Sequence, residues 1–283
     1  MDDGCVKAAD IGYQVLQKGG NALDAVIESA KALEDDGRYN AGTGSIFRMD
    51  GRTIEMDASL MDSTGRLGVV AAIQRVQNPI LVARKVMDTP HVILSGDGAV
   101  QFARKMGFPE FYQPSETARE KFTKARNLIK GNKIAELRED WVGVDIKAIW
   151  NFTRTFEDVF GSDTIGAVAI DKDGLLAAAN STGGATPMLN GRLGDSPIIG
   201  CGFFAGPAAA VATTGIGEEI IRQQAAKAVY DLVSFGEEVQ RACEQVVSRF
   251  PAKYSIGIIA ISRRGVGVAG NRDMAHGVRK EEA

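Results

Sequence analysis

Two apolar runs rich in small residues, Ile165 to Ile170 and Leu175 to Asn180, flank the turn signal Asp173-Gly174. Strand pairs of this kind recur along the chain with helical segments in pairs between them. That combination argues for antiparallel sheets covered by helices. The pattern does not order the layers.

Taken in order, Cys5, Ala8, Ile11, Val15 and Leu16 fall at helical spacing, and Gly19-Gly20 stops the run. Asn21 caps a second helix whose buried stripe is Ala22, Ala25, Val26, Ser29, Ala30 and Leu33. Strands are expected from Ser45 to Met49, then across an Asp50-Gly51 turn from Thr53 to Met61, and from Leu67 to Gln74. Asn78-Pro79 opens a helix through Met87, His91 to Ser95 reads as a strand, and Asp97 caps a helix to Met106. Between Pro109 and Phe160 charge is dense and glycine sparse, and Ala118 to Arg138 reads as an exposed helix. After Thr164 strands return, with a third from Ala208 to Thr213. Gly217 to Leu232 reads as one helix burying Ile220, Ile221, Ala225, Ala228 and Val229. Ser234 with Glu237 forms a capping box for the next helix, and a hairpin around Arg264-Gly265 spans Ser255 to Ala269.

The net charge of −3 gives no electrostatic reason for a nucleic-acid or anionic-membrane partner. No apolar run reaches the roughly 20 residues of a membrane span, and the acidic start Met1-Asp2-Asp3-Gly4 is unlike a signal peptide. Cys5, Cys201 and Cys243 are odd in number and far apart, which favours free thiols in a reducing cytoplasm over a disulfide framework. Only His91 and His276 occur, so chemistry that needs no histidine base fits best.

One stretch holds the candidate chemistry. Thr164 stands where the charged segment ending in Gly161-Ser162-Asp163 gives way to an apolar strand. Thr182 ends the next strand within Asn180-Ser181-Thr182-Gly183-Gly184, and Arg192 and Asp195 follow on the loop Gly191-Arg192-Leu193-Gly194-Asp195. Thr164 is a hydroxyl nucleophile candidate. Arg192 can grip a carboxylate with two parallel hydrogen bonds and Asp195 can hold an ammonium, a pairing suited to the two ends of one amino acid. Each residue alone also has an ordinary reading, as a strand Thr, a turn Thr or a surface ion pair.

Together with Gly19-Gly20-Asn21-Ala22-Leu23-Asp24-Ala25-Val26, Tyr39-Asn40-Ala41-Gly42-Thr43-Gly44-Ser45, Glu55-Met56-Asp57-Ala58 and Thr214-Gly215-Ile216-Gly217-Glu218, these motifs carry a resemblance. The chain resembles the asparaginase type 2 family of N-terminal-nucleophile (Ntn) hydrolases, which holds plant-type L-asparaginases, isoaspartyl peptidases and glycosylasparaginases. The resemblance implies an α/β, four-layer αββα sandwich forming a single domain over 1–283. It further implies self-cleavage between Asp163 and Thr164 into an α part, 1–163, and a β part, 164–283, with the new Thr164 α-amine as the base for its own hydroxyl.

By the same resemblance, Thr182 hydrogen-bonds the Thr164 hydroxyl and Asn40 orients the α-amine. Arg192, helped by the Gly217 N–H, clamps the substrate α-carboxylate, while Asp195 and the Gly215 carbonyl take its α-amine. The Thr214 hydroxyl and the Gly215 N–H form the oxyanion hole. No cofactor is implied beyond a structural sodium ion on the backbone of Leu33, Glu34, Asp36, Tyr39, Ala41 and Thr43. The implied partner is a small-molecule substrate, asparagine or a β-aspartyl dipeptide, and the implied assembly is a homodimer of cleaved αβ units. The family opens with a strand ending in a His-Gly-Gly-Ala-Gly type turn, and this chain begins after it. Asp163 stands before Thr164 as in glycosylasparaginases, where isoaspartyl peptidases have glycine. A lysine usual after the double glycine is replaced around Ala185-Thr186-Pro187-Met188. The alternatives are a glycosylasparaginase and an unprocessed, inactive relative serving as an interaction protein.

Overall fold

The computed structural model describes the chain except residues 1, 132, 137, 139–140, 147, 153–163, 186 and 281–283. Asp163, the expected cleavage position before Thr164, and Thr186 lie outside the described residues.

Helices α1 (Asp2–Gln17) and α2 (Ala22–Asp35) pack against each other at Gly12, where a side chain would collide with Ser29 Oγ and the Ala25 carbonyl. The Asn21 side chain caps α2 by accepting from Asp24 N–H at 2.9 Å, an interaction typically worth about 1 kcal/mol. A five-stranded sheet runs β3 (Ile93–Ser95), β2 (Leu67–Ile73), β1 (Met56–Asp62), β5 (Leu176–Thr182), β4 (Thr164–Ile170). Only its β2–β3 pair is parallel. A four-stranded antiparallel sheet runs β6 (Phe203–Ala205), β7 (Ala210–Gly215), β8 (Ile256–Ser262), β9 (Gly265–Gly270).

Side-chain alternation sorts the apolar residues into three clusters. Ala58, Leu60, Val70, Ile165, Ala177 and Ala179 turn from the first sheet toward Leu23, Val26 and Ala30 of α2 and toward Ile80 and Ala83 of α3 (Pro79–Val86). Their neighbours Val168, Leu176 and Ala178 meet Phe203, Ala205 and Ala210 between the two sheets. The far face of the second sheet, Val211, Ile256, Ile258 and Ala260, packs on α7 (Ala225–Ser234) and α8 (Val239–Val247). Leu60, Leu176, Phe203 and Ile258 are fully buried, each contributing roughly 1.5–3 kcal/mol of hydrophobic stabilisation. The protein is therefore an α/β molecule of two sheets and flanking helices.

The described end of the chain returns to its beginning. Gly277 lies against the Cys5 backbone, and Arg279 forms an ion pair with Asp10 of α1.

Several expectations need correction. Ser45 to Met49 is extended loop, because its backbone is spent on Asn40 and Thr53 rather than on a neighbouring strand. Helix α4 (Gly96–Lys105) starts at Gly96, so Asp97 lies in its first turn and does not cap it. The exposed helix α5 is Glu116–Lys130, shorter than expected. The helix read from Gly217 to Leu232 is two, α6 (Gly217–Gln223) and α7, broken by Gln224 in the left-handed region at φ 47°. Glu238, not Ser234, caps α8, accepting from Gln240 and Arg241 N–H. Strand β6 was not anticipated, since three residues are too few for a period to show.

Candidate active site

β4 begins at Thr164 and β5 ends at Thr182, and the two are paired in register. Opposed residues point to one face, so both hydroxyls face the second sheet, with Oγ1 to Oγ1 at 3.0 Å. Thr182 Oγ1 also accepts from Gly184 N–H at 3.0 Å.

Across the gap lies β7. A side chain added at Gly166, one row inward from Thr164, would meet Ala212 Cβ at 3.0 Å, while Val168 and Ile170 share a cluster with Ala210. The two strands thus run in opposite directions, and alternation places Thr214 across from Thr164. Gly215 follows at φ 142°, where a side chain would strike the Ser255 carbonyl, so only glycine fits.

Arg192 and Asp195 converge on Gly217, the first residue of α6. A Cβ there would stand 2.9 Å from Asp195 Oδ1 and 3.0 Å from Arg192 Nη2. A cation and an anion thus flank Gly217, as the two ends of a zwitterion require, and leave no room for a side chain there. Asp195 is buried, and Thr213 Oγ1 donates to its Oδ2 at 3.1 Å. Burial pushes its carboxyl up to about 6, against the pull of its hydrogen bonds and of Arg192, so it is an anion at neutral pH.

The Arg192 fork has an internal partner that sequence reading did not assign. Nε and Nη2 donate to Glu218 Oε1 at 2.9 and 2.8 Å. Arg138 reaches Glu218 Oε2 at 3.5 Å. Burial works to raise the Glu218 carboxyl, but Arg192 with Arg138 outweighs it and holds it below its usual value. Glu218 thus aims the guanidinium. Its only sequence signal was its place one residue after Gly217.

Asn40 is fully buried, accepting from Ile46 N–H at 3.0 Å and donating to the Gly184 carbonyl at 2.7 Å. It fixes the turn after Thr182. A second support is Arg48, also fully buried and paired with Glu55 at 2.8 Å. Arg48 donates to the carbonyls of Gly183 (3.3 Å) and Arg192 (3.5 Å) and contacts Met188 Sδ, while Glu55 Oε2 accepts from Gly191 N–H at 2.8 Å. This buried pair joins the threonine turn to the arginine loop. An arginine within a run of apolar residues was the available signal. From outside, Asn151 pairs with the Asn190 backbone at 2.9 and 3.1 Å, and Trp150, Phe152 and Leu189 pack against Met49.

On the far side of β5, Ser181 Oγ donates to Glu34 Oε1 at 2.6 Å. Burial pushes the Glu34 carboxyl up to about 8, against the hydrogen bonds from Ser181 and Ile80 N–H. The loop after α2 turns carbonyls inward. A side chain at Gly44 would collide with the Tyr39 carbonyl, and one at Gly42 would stand 2.5 Å from that of Glu34. The Asp36 and Ala41 carbonyls accept from Tyr39 and Gly44 N–H, which leaves each a lone pair for a hard cation. Among the described residues no group of three or more His, Cys, Asp or Glu could hold a metal ion, and no helix is long and apolar enough to cross a membrane.

A paired hydroxyl, together with a cation and an anion that meet at a glycine, is compatible with hydrolase chemistry. Comparison with known proteins gives the same class. A family model described as asparaginase matches residues 1–282. The plant-type L-asparaginase of Pyrococcus furiosus is 41% identical over 287 residues, covering 99% of this chain and 90% of the relative. The isoaspartyl peptidase/L-asparaginase of Homo sapiens is 38% identical over 274 residues, covering 95% and 82%. The chain belongs to the asparaginase family.

Proposed function

We propose that the protein is a self-processing threonine-nucleophile amidohydrolase that releases L-aspartate from L-asparagine and from β-aspartyl dipeptides. The observation that carries this reading is the Thr164–Thr182 hydroxyl pair at 3.0 Å on adjacent strand ends. The relatives' names support the substrate class.

In the first step the Thr164 hydroxyl attacks the Asp163 carbonyl, the acyl group shifts from nitrogen to oxygen, and water hydrolyses the ester. The pieces 1–163 and 164–283 remain one folded unit, because β1 of the first pairs with β5 of the second. The freed α-amine, which titrates near pH 8 in model compounds, then takes the proton of the Thr164 hydroxyl. Thr182 holds that hydroxyl. Asn40 orients the amine, directly or through the turn it fixes. Arg192 and the Gly217 N–H bind the substrate α-carboxylate, and Asp195 with the Gly215 carbonyl binds its α-amine. The Thr214 hydroxyl and Gly215 N–H stabilise the oxyanion, donors of a kind that contribute about 3 kcal/mol each. Attack gives a β-aspartyl ester and expels ammonia or an amino acid, and water frees aspartate.

The three apolar clusters support an αββα four-layer order in a single domain. The inward-turned carbonyls support a structural sodium ion held by the backbone of Leu33, Glu34, Asp36, Tyr39, Ala41 and Thr43, which would brace the loop carrying Asn40. A homodimer of cleaved units in the cytoplasm completes the proposal.

Intact mass and N-terminal sequencing after incubation test the reading. Two fragments, one beginning Thr164-Ile165-Gly166, are expected, with aspartate released from both substrates. A chain that stays whole, or that Thr164→Ala still cuts at this bond, refutes it. Release of a sugar amine from glycosylated asparagine in place of these activities would favour the glycosylasparaginase alternative.

A further inference from the structure

Asp57, Thr182 and Thr164 form one row across β1, β5 and β4, since Asp57 pairs in register with Thr182 and Thr182 with Thr164. All three side chains therefore face the gap between the sheets. Asp57 is 1% exposed. Its Oδ1 accepts from Ala72 N–H at 2.8 Å, presented by left-handed backbone (φ 47°) near the irregularity in the β1–β2 register. Its Oδ2 is buried and accepts no hydrogen bond among the described residues.

The charged groups acting on Asp57 are Arg48 and Glu55 from the loop before β1 and Arg192 from the loop after β5, while β2 contributes the Ala72 N–H. None of them forms a direct ion pair with it. Holding up Ala72 needs one acceptor oxygen, which a neutral amide would also supply. A carboxylate there has a second consequence, a negative charge in line with the nucleophile. Two strand spacings separate Asp57 from Thr164, roughly 10 Å.

We propose that Asp57 is a positioning residue for hydrolysis, its charge stabilising the ammonium that forms on the Thr164 α-amine as the hydroxyl attacks. This rests on Thr164 being the nucleophile. In that step the Oγ–C bond forms, the Oγ–H proton passes to the α-amine, and the carbonyl electron pair moves to oxygen. On collapse the ammonium returns the proton to the leaving nitrogen. Asp57 exchanges no proton.

Asp57→Asn tests this, because it keeps the acceptor for Ala72 and leaves Arg48, Glu55 and Arg192 unchanged. Removing one charge at roughly 10 Å, with an effective dielectric near 20, lowers the amine pKa by about one unit. A weaker base is a poorer catalyst, so plateau kcat for asparagine should fall about three- to tenfold. The acid limb of the pH profile should move down by about one unit, while KM stays within about twofold. Self-cleavage should persist, because the nitrogen is an amide until the cut. Asp57→Ser, smaller and equally uncharged, should shift the limb in the same direction.

A merely structural role would lower the whole profile without moving its limb, and that result overturns the proposal. So does a folded Asp57→Asn protein that no longer self-cleaves, or loss of fold in both variants by circular dichroism. Wild-type protein without a fragment beginning at Thr164 brings down the nucleophile reading and this inference together. A cleaved, active wild type with unshifted variants brings down this inference alone.

Discussion

Adding one methyl group at Gly217 should separate binding from self-processing. The new Cβ of Gly217→Ala would stand 2.9 Å from Asp195 Oδ1, 3.0 Å from Arg192 Nη2 and 3.1 Å from Asp195 N. Ordinary carbon contacts begin near 3.5 Å, so three atoms must each give way by about half an ångström. Asp195 is buried and bonded to Thr213, and Arg192 is tied to Glu218, so neither retreats freely. Overpacking of this size costs about 1–3 kcal/mol, partly offset by up to about 1 kcal/mol of helix propensity at the start of α6. The net loss of stability should not exceed about 3 kcal/mol, which leaves the variant folded.

On the proposed reading binding is affected far more, since the methyl intrudes between the two groups assigned to the substrate's ends. Charge-assisted hydrogen bonds contribute about 1.5–3 kcal/mol each, and losing the equivalent of one to two raises KM by about 100-fold. The cut before Thr164 should continue at its normal rate. Steady-state kinetics with asparagine, beside a gel time course of processing, measure both. A folded variant with KM within about threefold of wild type would refute the placement of the substrate over Gly217.

Other perturbations have equally definite outcomes. Thr182→Val removes the hydroxyl that pairs with Thr164 and accepts from Gly184. Turnover should fall at least about 100-fold, and thermal unfolding should show a loss of about 1–2 kcal/mol. Glu34 has its folded pKa, about 8, above its ordinary value of 4.5, so its contribution to stability is full below the lower value. That contribution is lost as pH rises toward the higher one, and Glu34→Gln should flatten the decline in melting temperature over this window. Glu55→Gln leaves the buried Arg48 guanidinium without its counter-charge and should cost about 3–5 kcal/mol in denaturant unfolding. Through Asp195, which titrates at about 6, KM should rise as pH falls below that value while the cut before Thr164 is unaffected.

Much of this was legible in the chain. Hairpin turns and period-two runs marked β4, β5, β8 and β9, and they set Thr164 and Thr182 at strand ends that prove to be in register. Strand signals also marked Ser45 to Met49 as a strand. There the backbone bonds to the Asn40 side chain and to Thr53, contacts between residues whose approach no local pattern records. Gln224 breaks a helix without glycine or proline, so no composition signal exists for it. Glu218 and Arg48 were given no role from sequence, because their roles depend on Arg192 and Gly183, far off in sequence.

The packing of Gly277 on Cys5 and the Arg279–Asp10 ion pair bring the two ends of the described chain side by side. A short linker could therefore join them, and the polypeptide could be opened afresh at Thr164 as a circular permutant. Translated from Thr164, with its initiator methionine trimmed, such a chain would be born with the free α-amine. The hydrolysis proposed to follow self-cleavage could then be studied in a chain that had never cut itself.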